Sequence, residues 1–145
     1  MKKLLPFLLL AFLSGYALLL SGCDDEEKIE SLSYEEYQLP MQPQLEGGDD
    51  RAIVINDIKS FRHIFSAYPE LEAIDFDTHT LVLAKGTANS GIHEIKKEIS
   101  RSSDNKYQFT ITIEQNLATV MSPWGVAYIL PKTSPSNIML FVGYK

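Results

Sequence analysis

The sequence predicts a mainly β fold, a small antiparallel β-sandwich or half-barrel with one short N-terminal helix. From residue 80 onward, apolar segments of strand length alternate with turn residues about every 8 to 12 positions, which is typical of small sandwiches and barrels. Residues 107–114 show the two-residue alternation of a strand with one buried and one wet face. In residues 57–66 the apolar side chains recur at helical spacing instead.

The first part of the folded unit is predicted to form a strand, the helix and a second strand. Residues 52–55 form a short apolar strand. The helix follows over residues 57–66, with Asn56 as the candidate N-cap. Its apolar side chains recur at helical spacing: Ile58, Phe61, Ile64 and Phe65. His63 lies in this helix and is interpreted as a packing residue, not a ligand. The second strand is expected over residues 80–85.

Beyond residue 85 the pattern favours strands joined by turns. Residues 86–91 have turn chemistry at nearly every position. Residues 92–100 have isoleucines at helical spacing, but both neighbouring segments are strand-like, so we expect a bulged strand. Residues 102–105 predict a hairpin turn before the strand at 107–114.

The C-terminal part of the chain is predicted to form further strands. Residues 117–121 are expected to continue the sheet, residues 122–125 to interrupt it and residues 126–130 to resume it. A loop over residues 131–137 then leads into a last strand at 138–142.

The N-terminus has the parts of a secretory signal, which predicts a signal peptide over residues 1–22. Two lysines precede a nearly unbroken apolar run that ends at Leu20. Leu20-Ser21-Gly22-Cys23 resembles the lipobox of bacterial lipoproteins, which implies that Cys23, the only cysteine, is acylated and anchors the protein to a membrane. A transmembrane anchor and an ordinary signal peptide are the alternatives, and the cysteine at the boundary favours the lipoprotein.

The residues after the cysteine bear on which membrane holds the anchor. Asp24 alone resembles the inner-membrane retention signal of enteric lipoproteins. The run Asp24-Asp25-Glu26-Glu27 resembles the surface-export signal of Bacteroidetes lipoproteins, and four consecutive acids favour the second interpretation. We therefore expect a lipid-anchored protein of the bacterial cell envelope, at the outer membrane or the cell surface.

Charge divides the rest of the chain into two regions. Residues 24–50 hold ten acids and one base, whereas residues 51–145 hold nine acids and ten bases. Residues 23–50 are therefore expected to form an acidic flexible tether before a single β-rich domain over residues 51–145. Within the tether, residues 33–39 carry two tyrosines, so an edge strand, a segment lying on the domain and a plain linker all remain open. The sequence has no stripe of basic residues of the kind that indicates nucleic-acid binding.

Two short motifs and the order of elements resemble a known family. Asn89-Ser90-Gly91-Ile92 stands where that family has a Thr-Gly-Gly-Tyr-like turn, and Ser122-Pro123-Trp124 stands where it has a Ser-Pro-aromatic segment. This is the C-terminal domain family of PrcB, a lipoprotein subunit of a spirochaete surface protease complex. The resemblance covers most of residues 53–142 and implies a β domain that supports a protease.

The same motifs are similar, more weakly, to the two binding loops of chagasin-type inhibitors of cysteine proteases. Both resemblances imply that loops 86–91 and 122–125 contact a protein partner, a secreted or surface protease, as its subunit or its inhibitor. The expected binding residues are Asn89, Ser90, Gly91, Pro123 and Trp124. Tryptophan is enriched in interface hot spots. The alternatives are that Trp124 fills one end of the core and that residues 89–91 form a plain turn.

A different class of function is a lipoprotein that binds a small molecule or glycan in an aromatic cleft. Trp124, Tyr128 and Tyr107 would supply its stacking platform if they share one exposed face. A third class is a purely structural envelope lipoprotein, which would have neither binding loops nor a cleft.

The sequence gives little support to an enzyme. The three histidines are 16 and 14 residues apart and form no local metal-ligand pair, and no nucleophile elbow or phosphate-binding glycine loop is present. Asp75 and Asp77 are expected to be solvent-exposed acids on either side of a buried Phe76. We therefore expect no catalytic residue, no metal and no cofactor.

Overall fold

The structure, a computed structural model, describes residues 30–31, 34–41 and 43–145. The predicted signal peptide over residues 1–22, the lipidation site Cys23 and the acidic run that follows it lie outside the described residues. Within the described ranges, no helix is long and apolar enough to cross a membrane.

Eight strands, one α-helix and one short 3₁₀ helix make up the described part of the chain. The strands are β1 (Glu30–Ser31), β2 (Glu35–Glu36), β3 (Ala52–Ile55), β4 (His79–Ala88), β5 (Ile92–Arg101), β6 (Tyr107–Gln115), β7 (Ser122–Pro131) and β8 (Ile138–Tyr144). The α-helix α1 spans Ile58–Ile64, and the 3₁₀ helix spans Pro135–Asn137.

The strands form two sheets, which confirms the predicted mainly β, sandwich-like fold with one short helix. The covered sheet has the order β2-β7-β4-β3 and is antiparallel throughout. The open sheet has the order β1-β5-β6-β8. Its last pair differs from the predicted antiparallel arrangement, because β8 runs parallel to β6 after the chain has crossed through β7 in the other sheet.

Two apolar clusters hold these layers together. The inner cluster lies between the sheets, with Val82, Ile111, Ile113 and Trp124 among its buried residues. The outer cluster lies on the other face of the covered sheet, where Leu81 and Leu83 of β4 pack against Phe61 and Phe65 of the helix segment. The covered sheet is therefore buried on both faces.

The helix is shorter than predicted, and its cap is one residue later. Asp57, not Asn56, is the N-cap, and its Oδ1 accepts a 2.8 Å hydrogen bond from the Ser60 amide. This bond is the main reason that the pKa of Asp57 lies below its usual value. Asn56 instead accepts a 2.5 Å hydrogen bond from the buried Thr80 hydroxyl. His63 is exposed on the helix surface.

The bulged strand and the hairpin after it are confirmed. β5 pairs with β6 along its whole length, with a register shift between Ile92 and Glu94. Asn105, in the turn that follows, adopts a φ of 61°. β6 alternates as predicted, with buried Tyr107, Phe109, Ile111 and Ile113. The expected strand at 126–130 belongs to the longer β7, and the one at 138–142 belongs to β8.

Much of the segment predicted to be a flexible tether lies on the domain. β2 pairs with β7, the Tyr37 amide donates to Ala127 O at 2.8 Å, and its hydroxyl donates to Glu72 O at 2.5 Å. Leu39 and Leu45 pack against the outer cluster. Residues 34–41 and 43–50 are thus part of the folded unit, which corrects the boundary at residue 51 for these residues.

Candidate functional site

The structure brings two segments together at one end of the sandwich. The turn at residues 89–91 joins β4 to β5, and the loop at residues 116–121 joins β6 to β7. We call these nine residues the apical surface. The chain enters at the other end, where Glu30 pairs with Arg101 at the far end of β5. β5 has ten residues, so the two ends lie about 30 Å apart.

Gly91 and Asn116 connect the turn to the loop. The Gly91 amide donates to Ala118 O at 3.1 Å, and Gly91 O accepts from the Asn116 amide at 2.8 Å. The Asn116 side chain also accepts a 2.9 Å hydrogen bond from the Ala118 amide. A Cβ on Gly91 would lie only 2.9 Å from Asn116 Cγ, so a larger residue there would displace the Asn116 side chain from the Ala118 amide.

The loop held in this way exposes apolar side chains. Leu117, between the two residues bonded to Gly91, is fully exposed, and Val120 and Met121 are 51% and 64% exposed. The strand predicted over residues 117–121 is therefore wrong. Its backbone bonds go to Gly91, to the Asn116 side chain and within the loop, and so no neighbouring strand pairs with it.

The other residues of the turn have separate surroundings. Asn89 is exposed, whereas Ser90 is half-buried and its hydroxyl donates to Gln115 Oε1 at 3.1 Å. Gln115 is held in turn by its amide, which donates to Lys145 O at 2.7 Å. The turn is thus fixed to the end of the open sheet, and Asn89 is exposed at its tip.

The predicted binding loops 86–91 and 122–125 are adjacent, but they are mostly strand. β4 and β7 stay in register to their ends, with Gly86 opposite Trp124, Thr87 opposite Pro123 and Ala88 opposite Ser122. Pro123 is tolerated because β2, on the other side of β7, pairs only with Tyr128 and Ile129. Only residues 89–91 remain as a turn.

Trp124 is not an exposed contact residue. It is 3% exposed and belongs to the inner cluster, so it fills one end of the core. Its Nε1 donates to the Tyr144 hydroxyl at 3.1 Å, and that hydroxyl donates to Asp50 Oδ1 at 2.6 Å. Burial, together with the hydrogen bond to Asp50, raises the pKa of Tyr144 to about 12. Of the expected pair, Pro123 alone is exposed.

The aromatic platform expected for a small ligand does not form. Trp124, Tyr128 and Tyr107 are all buried in the inner cluster. Burial raises the pKa of Tyr128 to about 12, and the nearby Glu36 adds to the shift. A cleft of about 250 Å³ lies beside Trp124, with Leu39, Ile92 and Pro123 among its lining residues. This volume is below the roughly 300–1,000 Å³ of common ligand pockets.

A second cleft, of about 510 Å³, contains the acid pair noted in the sequence. Asp75 and Asp77 are exposed, as predicted, whereas Phe76 between them is only half-buried and not fully buried as expected. Asp75 accepts hydrogen bonds from the Thr78 hydroxyl and the Asp77 amide, at 2.7 and 3.0 Å, and these lower its pKa. A carboxylate held this way shapes the turn before β4. In the described ranges, no group of three or more His, Cys, Asp or Glu side chains is placed to hold a metal ion.

Four residues of the apical surface were not expected there from the sequence: Asn116, Leu117, Val120 and Met121. The available signal was the pair Gln115-Asn116 at the end of β6, because asparagine favours turns by bonding a backbone amide two residues on.

No protein-family model, no curated protein and no solved structure matches the chain. The resemblances to the PrcB family and to chagasin-type inhibitors therefore remain hypotheses that rest on the two short motifs.

Proposed function

We propose that this protein is a membrane-anchored bacterial lipoprotein whose β domain binds another protein through its apical surface. The observation that carries the proposal is the apolar loop at residues 116–121, which is fixed by hydrogen bonds and yet exposes Leu117, Val120 and Met121. A rigid loop loses little entropy on binding, so its apolar side chains contribute more of their burial free energy to affinity.

Leu117 suits insertion into a concave apolar pocket of the partner. Its side chain stands clear of the domain, while the residues on both sides are bonded to Gly91. Asn89 and Pro123 lie beside the loop as exposed residues, and the polar Asn89 fits the rim of an interface. The partner we propose is a secreted or surface protease, the class implied by the two family resemblances.

The position of the apical surface is compatible with the anchor. Cys23 precedes Glu30 by seven residues, so a fully extended chain reaches about 25 Å from the entry point. The apical surface lies at the opposite end of β5. A domain that stands on its tether therefore presents Leu117 towards a partner and away from the membrane.

The test is site-specific photo-crosslinking of the full chain in its native envelope. A photoreactive apolar residue replaces Leu117 in one variant and Ser103, an exposed residue of the turn at the other end, in the control. We expect a protease to be cross-linked at residue 117 and not at residue 103. In parallel, Leu117→Asp should weaken co-purification of that protease about 30-fold, as expected for a hot spot.

Three results separate the parts of the proposal. Equal cross-linking at both positions, or none, rejects the apical surface. A product at residue 117 that contains no protease rejects the class of partner alone. If Cys23→Ser leaves fatty-acid labelling and membrane retention unchanged, the lipid anchor is rejected.

A further inference from the structure

The two edges of the open sheet differ in how they are protected against pairing with another strand. β5 has a bulge after Ile92, carries Lys96 and Lys97, and is partly covered by β1. Bulges and charges are common protection for sheet edges. β8, Ile138–Tyr144, has no charge, proline or bulge over its seven residues. Met139 and Phe141 are 42% and 53% exposed on its outer face.

The hydrogen bonds at the C-terminus identify which backbone groups of β8 are free. The Lys145 amide donates to Ile113 O and Lys145 O accepts from the Gln115 amide, so both groups of Lys145 point towards β6. Successive residues of a strand alternate in direction. Leu140, Val142 and Tyr144 therefore point their amides and carbonyls away from β6, and no described residue bonds them there.

We propose that β8 pairs antiparallel with β8 of a second copy, around a two-fold axis at Phe141. This register overlaps all seven residues, because Phe141 is the centre of the strand. It places Leu140 opposite Val142 of the second copy and Tyr144 opposite Ile138. The Ile138 amide already donates to Pro135 O, so about six hydrogen bonds form across the axis.

The side chains suit this register. Phe141 faces Phe141 of the second copy in a non-hydrogen-bonded pair, where side chains approach closely. Met139 faces Gly143 of the second copy, and a Cβ on Gly143 would meet no atom within 4 Å, so the space above it is open. No charged residue of either β8 is brought opposite a like charge.

The pairing joins two open sheets into one and uses no residue of the proposed apical surface. With seven residues a side, against roughly 20–30 in standard interfaces, the dimer is expected to be weak and concentration-dependent. The two chains enter from opposite ends. A single membrane can hold both anchors, each on a tether of about 25 Å, only when the strands lie along it. The dimer then directs its two apical surfaces sideways, and the upright orientation proposed above belongs to the monomer.

The first experiment measures the dimer dissociation constant of the full-length chain in detergent by sedimentation. Phe141→Lys puts two like charges directly opposite each other, whereas Met139→Lys, the matched control, puts each charge opposite a glycine. We expect the constant to rise at least tenfold for Phe141→Lys and less than about threefold for Met139→Lys. An equimolar mixture of Phe141→Lys and Phe141→Glu should restore dimers. A parent chain that stays monomeric, or equal effects of the two lysines, overturns the proposal.

A second experiment covers the case in which a lysine variant folds poorly. In the proposed register the Cα atoms of residue 141 in the two copies lie about 4.5 Å apart, within disulfide range. Phe141→Cys in membranes should therefore form a reducible dimer. Met139→Cys should not form one, because residue 139 of the second copy lies four residues further along the paired strand. The parent chain measures any background dimer formed through Cys23. Cross-linking at residue 139 equal to that at residue 141, or none at 141, overturns the register.

Discussion

The central strands of the two sheets, β4 and β6, have opposite burial patterns. β4 is buried at five successive positions, residues 80–84, because the inner cluster covers one of its faces and α1 covers the other. β6 alternates between buried and more exposed positions, because no described element covers the outer face of the open sheet. A continuously apolar strand therefore indicates a sheet that is covered on both faces, and an alternating strand indicates a sheet that is covered on one face.

The largest expected difference concerns the outer faces of the two sheets. Leu83→Ala removes a fully buried side chain under α1, so the free energy of unfolding should fall by about 3 kcal/mol. Thr112→Ala, on the outer face of the open sheet, should change it by less than about 0.5 kcal/mol. Urea unfolding of the chain from residue 23 onward measures both. Similar losses would show that the open sheet is also covered.

A pair of glycines gives an intermediate difference. A Cβ on Gly86 of β4 would lie 2.7 Å from the Tyr144 hydroxyl and 2.9 Å from Trp124 Cε2, whereas Gly143 of β8 has open space. Gly86→Ala should therefore cost about 1–3 kcal/mol and alter the fluorescence of the only tryptophan. Gly143→Ala is the matched control and should be close to neutral. A neutral Gly86→Ala would mean that Asp50 and Tyr144 move aside freely.

The smallest expected effect is the response to alkaline pH. Burial raises the pKa of Tyr128, in the covered sheet, to about 12, whereas the phenol of an unfolded chain titrates near pH 10. Between about pH 10 and 12 the unfolded chain therefore binds fewer protons than the folded one, so stability falls as pH rises through this window. Below pH 10 the stabilisation is fully present.

Tyr128→Phe should flatten this decline. The free energy of unfolding, measured from pH 9 to pH 12, tests it against the unchanged chain. Tyr144 keeps a residual slope in the variant, because its pKa is also raised to about 12. An unchanged slope in Tyr128→Phe would place the alkaline sensitivity elsewhere.

Local patterns predicted the elements that depend on their own residues. The alternation of β6 and the bulge of β5 follow from side chains that face one core. The parallel pairing of β8 with β6 was not predictable in this way, since it depends on where the chain returns after β7.

The errors at the candidate site have a common physical cause. Gly86 and Pro123 look like loop residues, but strand pairing over ten positions of β4 and β7 overrides that preference. Residues 117–121 look like a strand, but they have no pairing partner, and the Asn116 side chain takes one of their amides. Gly91 was identified from the sequence as a site residue, whereas its close approach to the Asn116 side chain is visible only in the structure.

The short first strands also determine how the protein would respond to force. If the chain is held at its N-terminal side and at the apical surface, a load runs along the strands, so the long ladders of β4 with β7 and β5 with β6 resist it in shear. β1 and β2 have two residues each and would yield first. Release of residues 34–41 and 43–50 would remove Tyr37, Leu39 and Leu45 from the outer cluster, so it would weaken the sandwich as well as lengthen the N-terminal segment.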